Sequence, residues 1–235
     1  MPGSEMSDFV GGATIDSPGR PSRDGSSAWP PADFYETLFA RRDVRAQFAG
    51  GTIDSETLTR VLTAAHAAPS VGLSQPWDFI LVTDTAIRTQ FQAHVEERRD
   101  EFAAKLSPER AAAFSPIKIE GILEAATGIV VTCDPRRGAP RILGADTITA
   151  TTVYSVCLAI QNLWLAATAE GLGVGWVSFF EQSFLTELVG LPEPVFPVAW
   201  LCVGPISHRE TTPDLERLAW AARLPLEKIT HRNRW

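Results

Sequence analysis

The sequence predicts an α+β domain built around a modest sheet, and three observations carry that expectation. Helical and strand-like segments follow one another in mixed order. Short apolar runs of strand length recur, "DFILVTD", "TGIVVTCD", "GVGWVS" and "FPVAWLCVG". One long segment, "TTVYSVCLAIQNLWLAATAEG", is apolar around its whole circumference, as a helix buried on every side would be.

The elements can be justified in order. Residues 1–28 are rich in Gly, Ser, Pro and Asp and lack the apolar surface to offset ordering entropy, so they read as a mobile arm ahead of a domain over 29–235. "PPADFYETLFARR" predicts a short helix running into arginines. "IDSETLTRVLTAAHAAPS" predicts a second helix, with Asp54 or Ser55 as cap, a stripe of Leu58, Val61, Leu62 and Ala65, and Pro69 as its end. The strand "DFILVTD" leads into "TAIRTQFQAHVEERRDEFAAKL", a charged amphipathic helix with a solvated face. "TGIVVTCD" is a strand closed by the turn "PRRGAP". The apolar helix follows, interrupted only by Gln161 and Asn162. Its threonines and lack of basic flanks argue against a membrane span and for a place between the sheet and a partner subunit. "GVGWVS", the helix "FLTELVGL" and "FPVAWLCVG" complete the domain.

Composition narrows the function. The chain has 235 residues, 45% hydrophobic and 21% charged, with a formal net charge of −7. An acidic chain is a poor binder of nucleic acid, whose affinity comes from neutralising phosphates. The arginines of 41–45 are therefore a local feature suited to a small anion. Cys133, Cys157 and Cys202 lie far apart in apolar runs and read as buried, reduced thiols of a cytoplasmic protein. His66, His94, His208 and His231 are scattered, with no metal-ligand spacing. No signal peptide is visible at the amino terminus.

"GLGVGW" fails as a dinucleotide fingerprint, because Trp176 stands where the third glycine belongs and the glycines enter a strand instead of leaving one. Gly171 reads as a helix cap, and Gly173 and Gly175 as places where something flat approaches the backbone. Ser178 has no G-x-S-x-G around it. In "APSVGLSQPWDF", Trp77 reads as core; Ser70 and Ser74 either bond a ligand or bond the local backbone. Arg41, Arg42 and Arg45 are either a solvated helix end or an anion claw. In the second case Arg41 and Arg45, four apart, share a helical face. The closing "AARLPLEKITHRNRW", with Arg223, reads by itself as a tail packed on the domain.

Taken in order, R-R-x-V-R, P-S-x-x-x-S-Q-P-W, the buried helix leading to G-x-G-W-x-S, and R-L-P-L-E resemble the nitroreductase-like flavoprotein superfamily over residues 34–235. The resemblance implies an FMN-binding α+β fold with a mixed, mostly antiparallel sheet flanked by helices. It also implies an intertwined homodimer with two FMN sites, each built from both chains. Arg41, Arg42, Arg45 and Arg223 then hold the phosphate and the polar edge of the flavin, with Val44, Ile117, Gly175 and Ser178 also at the flavin. Ser70 reaches the partner's FMN, and residues 111–127 cover the ring with Ile117 and Lys118 above it.

Two departures stand out: Asp43 where most of the superfamily has serine, and Ala221 where it has lysine. Asp43 in R-R-D-V-R resembles a branch that consumes its flavin. That branch converts reduced FMN and O2 to 5,6-dimethylbenzimidazole, the lower ligand of vitamin B12, and releases erythrose 4-phosphate. Its two polar residues fall on Asp43 and Ser178. A carboxylate adds nothing to phosphate binding, whereas fragmentation needs protons moved. Asp43 is thus expected as the proton relay, kept ionised by its arginines, and Ser178 as the group that orients the intermediate. A separate flavin reductase would supply the reduced FMN. The rival expectations are an NAD(P)H-dependent nitro- or quinone reductase, a reductive dehalogenase, and a non-catalytic flavin carrier.

Overall fold

The computed structural model describes residues 34–138 and 140–235; the arm expected over 1–28 lies outside them. The strands are β1 (Trp77–Val82), β2 (Thr127–Cys133), β3 (Leu172–Val177) and β4 (Phe196–Pro205). They form one sheet in the order β1-β2-β4-β3, with every neighbouring pair antiparallel. The helices are α1 (Phe34–Ala40), α2 (Ser55–His66), α3 (Thr85–Ala104), α4 (Pro108–Phe114), α5 (Thr151–Ala169), α6 (Gln182–Val189) and α7 (Asp214–Arg217). The fold is α+β, as its sequence predicts.

Strand alternation sorts the core into two layers. Ile129 and Val131 of β2 join Leu201 and Val203 of β4 on one face, where they meet Val61 and Ala65 of α2 and Ile160 and Leu163 of α5. Val130, Trp200 and Cys202 turn the other way and meet Phe91 and Val95 of α3, Phe114 of α4 and Leu185 of α6. β2 is buried along its whole length, which accounts for its unbroken apolar run. Gly128 makes room for Trp200: a Cβ there would lie 2.5 Å from the indole, which stacks on Phe91 at a centroid distance of 4.1 Å.

Local signals set the helix ends. Asp54, not Ser55, caps α2 by accepting from the Thr57 N–H at 2.8 Å. Asp84 caps α3 in the same way, and Gly190 closes α6 in the left-handed region.

Three expectations change, and a fourth region gains detail. First, α1 ends at Ala40, before the arginines. Second, α5 is not buried all round in the single chain. Tyr154, Cys157 and Leu158 lie on the face turned away from the sheet and are exposed, so Cys157 is an open thiol while Cys133 and Cys202 are buried. By length and composition α5 would pass as a membrane span, but half of it is buried inside the domain. Third, residues 221–235 are exposed throughout, so the tail does not pack on its own domain. Fourth, the expected cover of 111–127 contains the end of α4, capped by Ser107, followed by an irregular stretch.

Leu163 faces the sheet from α5 with no exposed surface. Leu163→Ala is expected to lower unfolding free energy by about 2–5 kcal/mol, read as a lower urea midpoint at unchanged slope.

Candidate active site

Beyond Ala40 the chain runs extended along the edge of the sheet. Asp43 forms a parallel bridge with Val174 of β3, Phe48 an antiparallel one with Ile206, and the Val44 N–H donates to the Val174 carbonyl at 2.9 Å. The helical face expected to unite Arg41 and Arg45 is therefore absent. Tertiary contacts unite them instead: Arg41 lies within electrostatic reach of Asp43, and Arg45, where the chain bends, closes on the same carboxylate. Arg42 and Val44 are engaged elsewhere.

The contacts agree with this division. Val44 is 2% exposed and packs in the core. The Arg42 guanidinium donates to the carbonyls of Phe39 and Arg41, each at 2.7 Å, and to that of Thr211. Arg42 thus ties the segment to the loop before α7, while its Nε, like that of Arg45, is buried without a partner. Arg41 lies over the Trp164 ring at 4.9 Å, and the Trp164 indole N–H donates to the Arg42 carbonyl at 3.1 Å.

Gly175 permits this edge pairing. A Cβ at Gly175 would stand 2.1 Å from the Val44 carbonyl oxygen, and one at Gly173 would stand 2.9 Å from the Val44 side chain. The flat object expected against these glycines is the chain's own Arg41–Arg45 segment. Val44 and Gly175 therefore fix the position of the segment that carries Asp43. On the next strand Gly175 pairs with Cys202, whose thiol burial pushes up to about 12.

Asp43 is held at both oxygens. Oδ2 lies 2.6 Å from Arg45 Nη2, and Oδ1 accepts from the Trp176 N–H at 3.1 Å. Although 36% of the side-chain surface is open in the single chain, desolvation by the surrounding protein raises its pKa. Arg45, the Trp176 N–H and Arg41 pull the other way without prevailing. Arg45 and Arg41 thus favour the ionised form, as expected, while burial works against it and sets the net direction. Burial also lowers the pKa of Arg41; Asp43 opposes this, and the like charges of Arg42 and Arg223 add to it.

A cavity of about 260 Å³ opens beside Arg45 and Trp176, the two residues that hold this carboxylate. Arg45, Trp176 and Ser178 line one side, Ile117–Ile119 another, and Phe102, Phe114, Phe179 and Trp220 form an aromatic wall. The structure thus brings Arg45, Ser178 and Ile117 together, with Asp43 bonded to two lining residues. Arg223 is exposed but close enough to Arg41 to act on its charge. Ser70 is not brought to this place. It precedes β1, on the sheet edge opposite β3, and its Oγ accepts from the Gln75 N–H at 3.0 Å. Sequence reasoning overlooks Trp176 and the aromatic wall. The period-two spacing of Trp176 and Ser178 signals the first; the wall comes from four separate segments and has no local signature.

An anion fits this donor set. Arg45 Nε is buried without a partner, and among the described residues Arg41 has no carboxylate within ion-pair distance. Unsatisfied guanidinium N–H groups beside a second arginine suit a phosphate.

Residues 38–205 match the nitroreductase family model, and the chain belongs to that family. Within it, the chain is 43% identical over 195 residues to the 5,6-dimethylbenzimidazole synthase of Rhodospirillum rubrum, covering 82% of this chain and 92% of that protein. A protein of the same name from Rhodobacter capsulatus is 35% identical over 192 residues, with the same coverage of each. Among solved structures, an oxidized iodotyrosine deiodinase bound to FMN and 3-iodo-L-tyrosine superposes with a TM-score of 0.66 at 21% identity, over 86% of this chain and all of that one. The NADPH:FMN oxidoreductase of Vibrio harveyi gives 0.64 at 22% identity, over 86% and 77%. These two likenesses concern the fold.

The raised pKa of Asp43 has a sign that can be measured. A carboxyl that binds its proton more tightly when folded stabilises the fold fully below its unfolded pKa, and that contribution is lost as pH rises through the folded value. The stability of the wild type relative to Asp43→Asn is therefore expected to decline as pH rises above about 4, followed by urea unfolding at stepped pH.

Proposed function

We propose that this protein is a 5,6-dimethylbenzimidazole synthase, which converts reduced FMN and O2 to 5,6-dimethylbenzimidazole with release of erythrose 4-phosphate. The observation that carries the reading is the placement of Asp43. Its carboxyl is paired with Arg45 and anchored by the Trp176 N–H, and both of these residues line the cavity of Ser178. A protein that only held FMN, or cycled it between redox states, would gain nothing from an acid in that position. The identities of 43% and 35% to enzymes of this name, over most of each chain, point the same way.

Each residue has a task in this reading. Arg41 and Arg223 hold the phosphate, and Arg45 holds the polar edge of the flavin while keeping Asp43 in place. Reduced FMN supplies both the carbon framework of the product and the electrons for O2. Asp43 takes up and returns protons at its Oδ atoms, and its raised pKa brings it nearer the range where a carboxyl exchanges protons. The Ser178 hydroxyl donates a hydrogen bond that orients the reacting ring. The aromatic wall and Ile117 exclude water.

The reading includes a homodimer. Phe34, Tyr35 and Phe39 of α1, Tyr154 and Leu158 of α5, and Leu224, Leu226 and Ile229 of the tail are exposed in the single chain, an apolar surface suited to a second copy. Ser70, stranded on the far edge of its own sheet, would then serve the partner's site. A separate flavin reductase supplies the reduced FMN in this reading.

The test is direct. FMN reduced without oxygen is mixed with the purified protein, air is admitted, and products are identified by mass spectrometry. Wild type is expected to yield 5,6-dimethylbenzimidazole, and Asp43→Asn to form it at least about 100-fold more slowly while still binding FMN. Flavin that is only reoxidised by the wild type would overturn the reading. The dimer predicts a sedimentation mass twice that of one chain.

A further inference from the structure

Outside the cavity of Ser178 lies a second, larger one of about 460 Å³, lined by Glu96, Arg99 and Asp100 of α3 and by residues 115–120. The two cavities share Ile117, Lys118 and Ile119, so this stretch is a wall one chain thick between them. What holds such a wall in place decides what crosses it.

Two arginines of α3 bind the connection between α4 and β2. Arg88, buried, donates to the carbonyls of Ile122 and Ala125. Arg99 stands eleven residues further on, which returns it to the same helical face about 16 Å along the axis. Its Nη2 donates to the Ser115 carbonyl at 3.1 Å and the Ile117 carbonyl at 3.4 Å, and its guanidinium lies over the Phe114 ring at 5.0 Å. Among the described residues, Lys118 pairs with Glu124, Glu120 accepts from the Ile122 N–H at 2.7 Å, and the Gly121 backbone bonds the Cys202 thiol. The Arg88 end is a buried anchor. The Arg99 end is part-exposed, with 29% of its side chain open, and rests on few bonds.

We propose that Arg99 is a positioning residue, a latch that keeps Ser115–Ile117 closed as the wall between the outer cavity and the active site. The proposal rests on the function given above for its consequence, but not for its geometry. With the latch engaged, Ile117 seals the site while product forms. With it released, water reaches the reduced flavin, and two electrons and two protons pass to O2 to give hydrogen peroxide and intact FMN, with no carbon–carbon bond broken.

Arg99→Met and Arg99→Lys test this on the full chain with two readouts. In protein without flavin, hydrogen exchange of amides 114–119 is expected to be about tenfold faster in Arg99→Met, with 122–125 unchanged at the Arg88 anchor. In the air-oxidation assay, the fraction of reduced FMN that ends as benzimidazole is expected to fall about fivefold, with hydrogen peroxide rising to match. Arg99→Lys, which keeps a donor but not the planar fork, is expected to lie between. Unchanged exchange at 114–119 would overturn the latch, and so would faster exchange across the whole chain, which would make Arg99 a general stabiliser. Faster local exchange with an unchanged product fraction would overturn its guarding role. If wild type forms no benzimidazole, the functional reading fails separately and exchange alone decides the latch.

Discussion

The site depends on a main-chain contact: the Val44 carbonyl resting where the side chain of residue 175 would otherwise be. Because Gly175 has none, the segment lies against β3, where the bridge from Asp43 to Val174 holds it. Arg41, Asp43 and Arg45 come together without any dedicated scaffold. Val44 sinks into the core and Arg42 ties back to carbonyls. A helix through the same residues would have spread these side chains around a cylinder and set Asp43 well away from the line of Arg41 and Arg45.

The electrostatics follow from that geometry. Placing an acid between two bases would ordinarily yield a tame ion pair. Here the segment is tucked against the sheet edge, and the loss of water around Asp43 outweighs the pull of Arg45 and Arg41. The arginines in turn crowd one another, since Arg41 feels both Arg42 and Arg223. The charge of Asp43 works against that crowding, so the acid and the arginines are coupled through the same few groups.

Much of this architecture is legible in the amino-acid sequence. The sheet, the long helices, their caps and the fold class follow from apolar period and turn residues, and the family resemblance points to Asp43, Arg45 and Ser178. What is not legible has physical reasons. The arginines look helical because "FYETLFARR" has no breaker, and the tertiary pull of β3 on Asp43 and Val44 is invisible locally. Arg42 cannot be told from its neighbours, since Thr211, the carbonyl that claims it, lies far along the chain. Cys157 reads as buried because an apolar composition says how much of a helix is oily and not which side meets the sheet.

That last thiol contrasts with Cys202, which sits directly across the ladder from Gly175. With its pKa at about 12 it carries essentially no thiolate at neutral pH, and oxidants attack the thiolate. On the function proposed above, oxygen and reduced flavin would be handled one strand away from this sulfur, which burial holds in its less reactive thiol form.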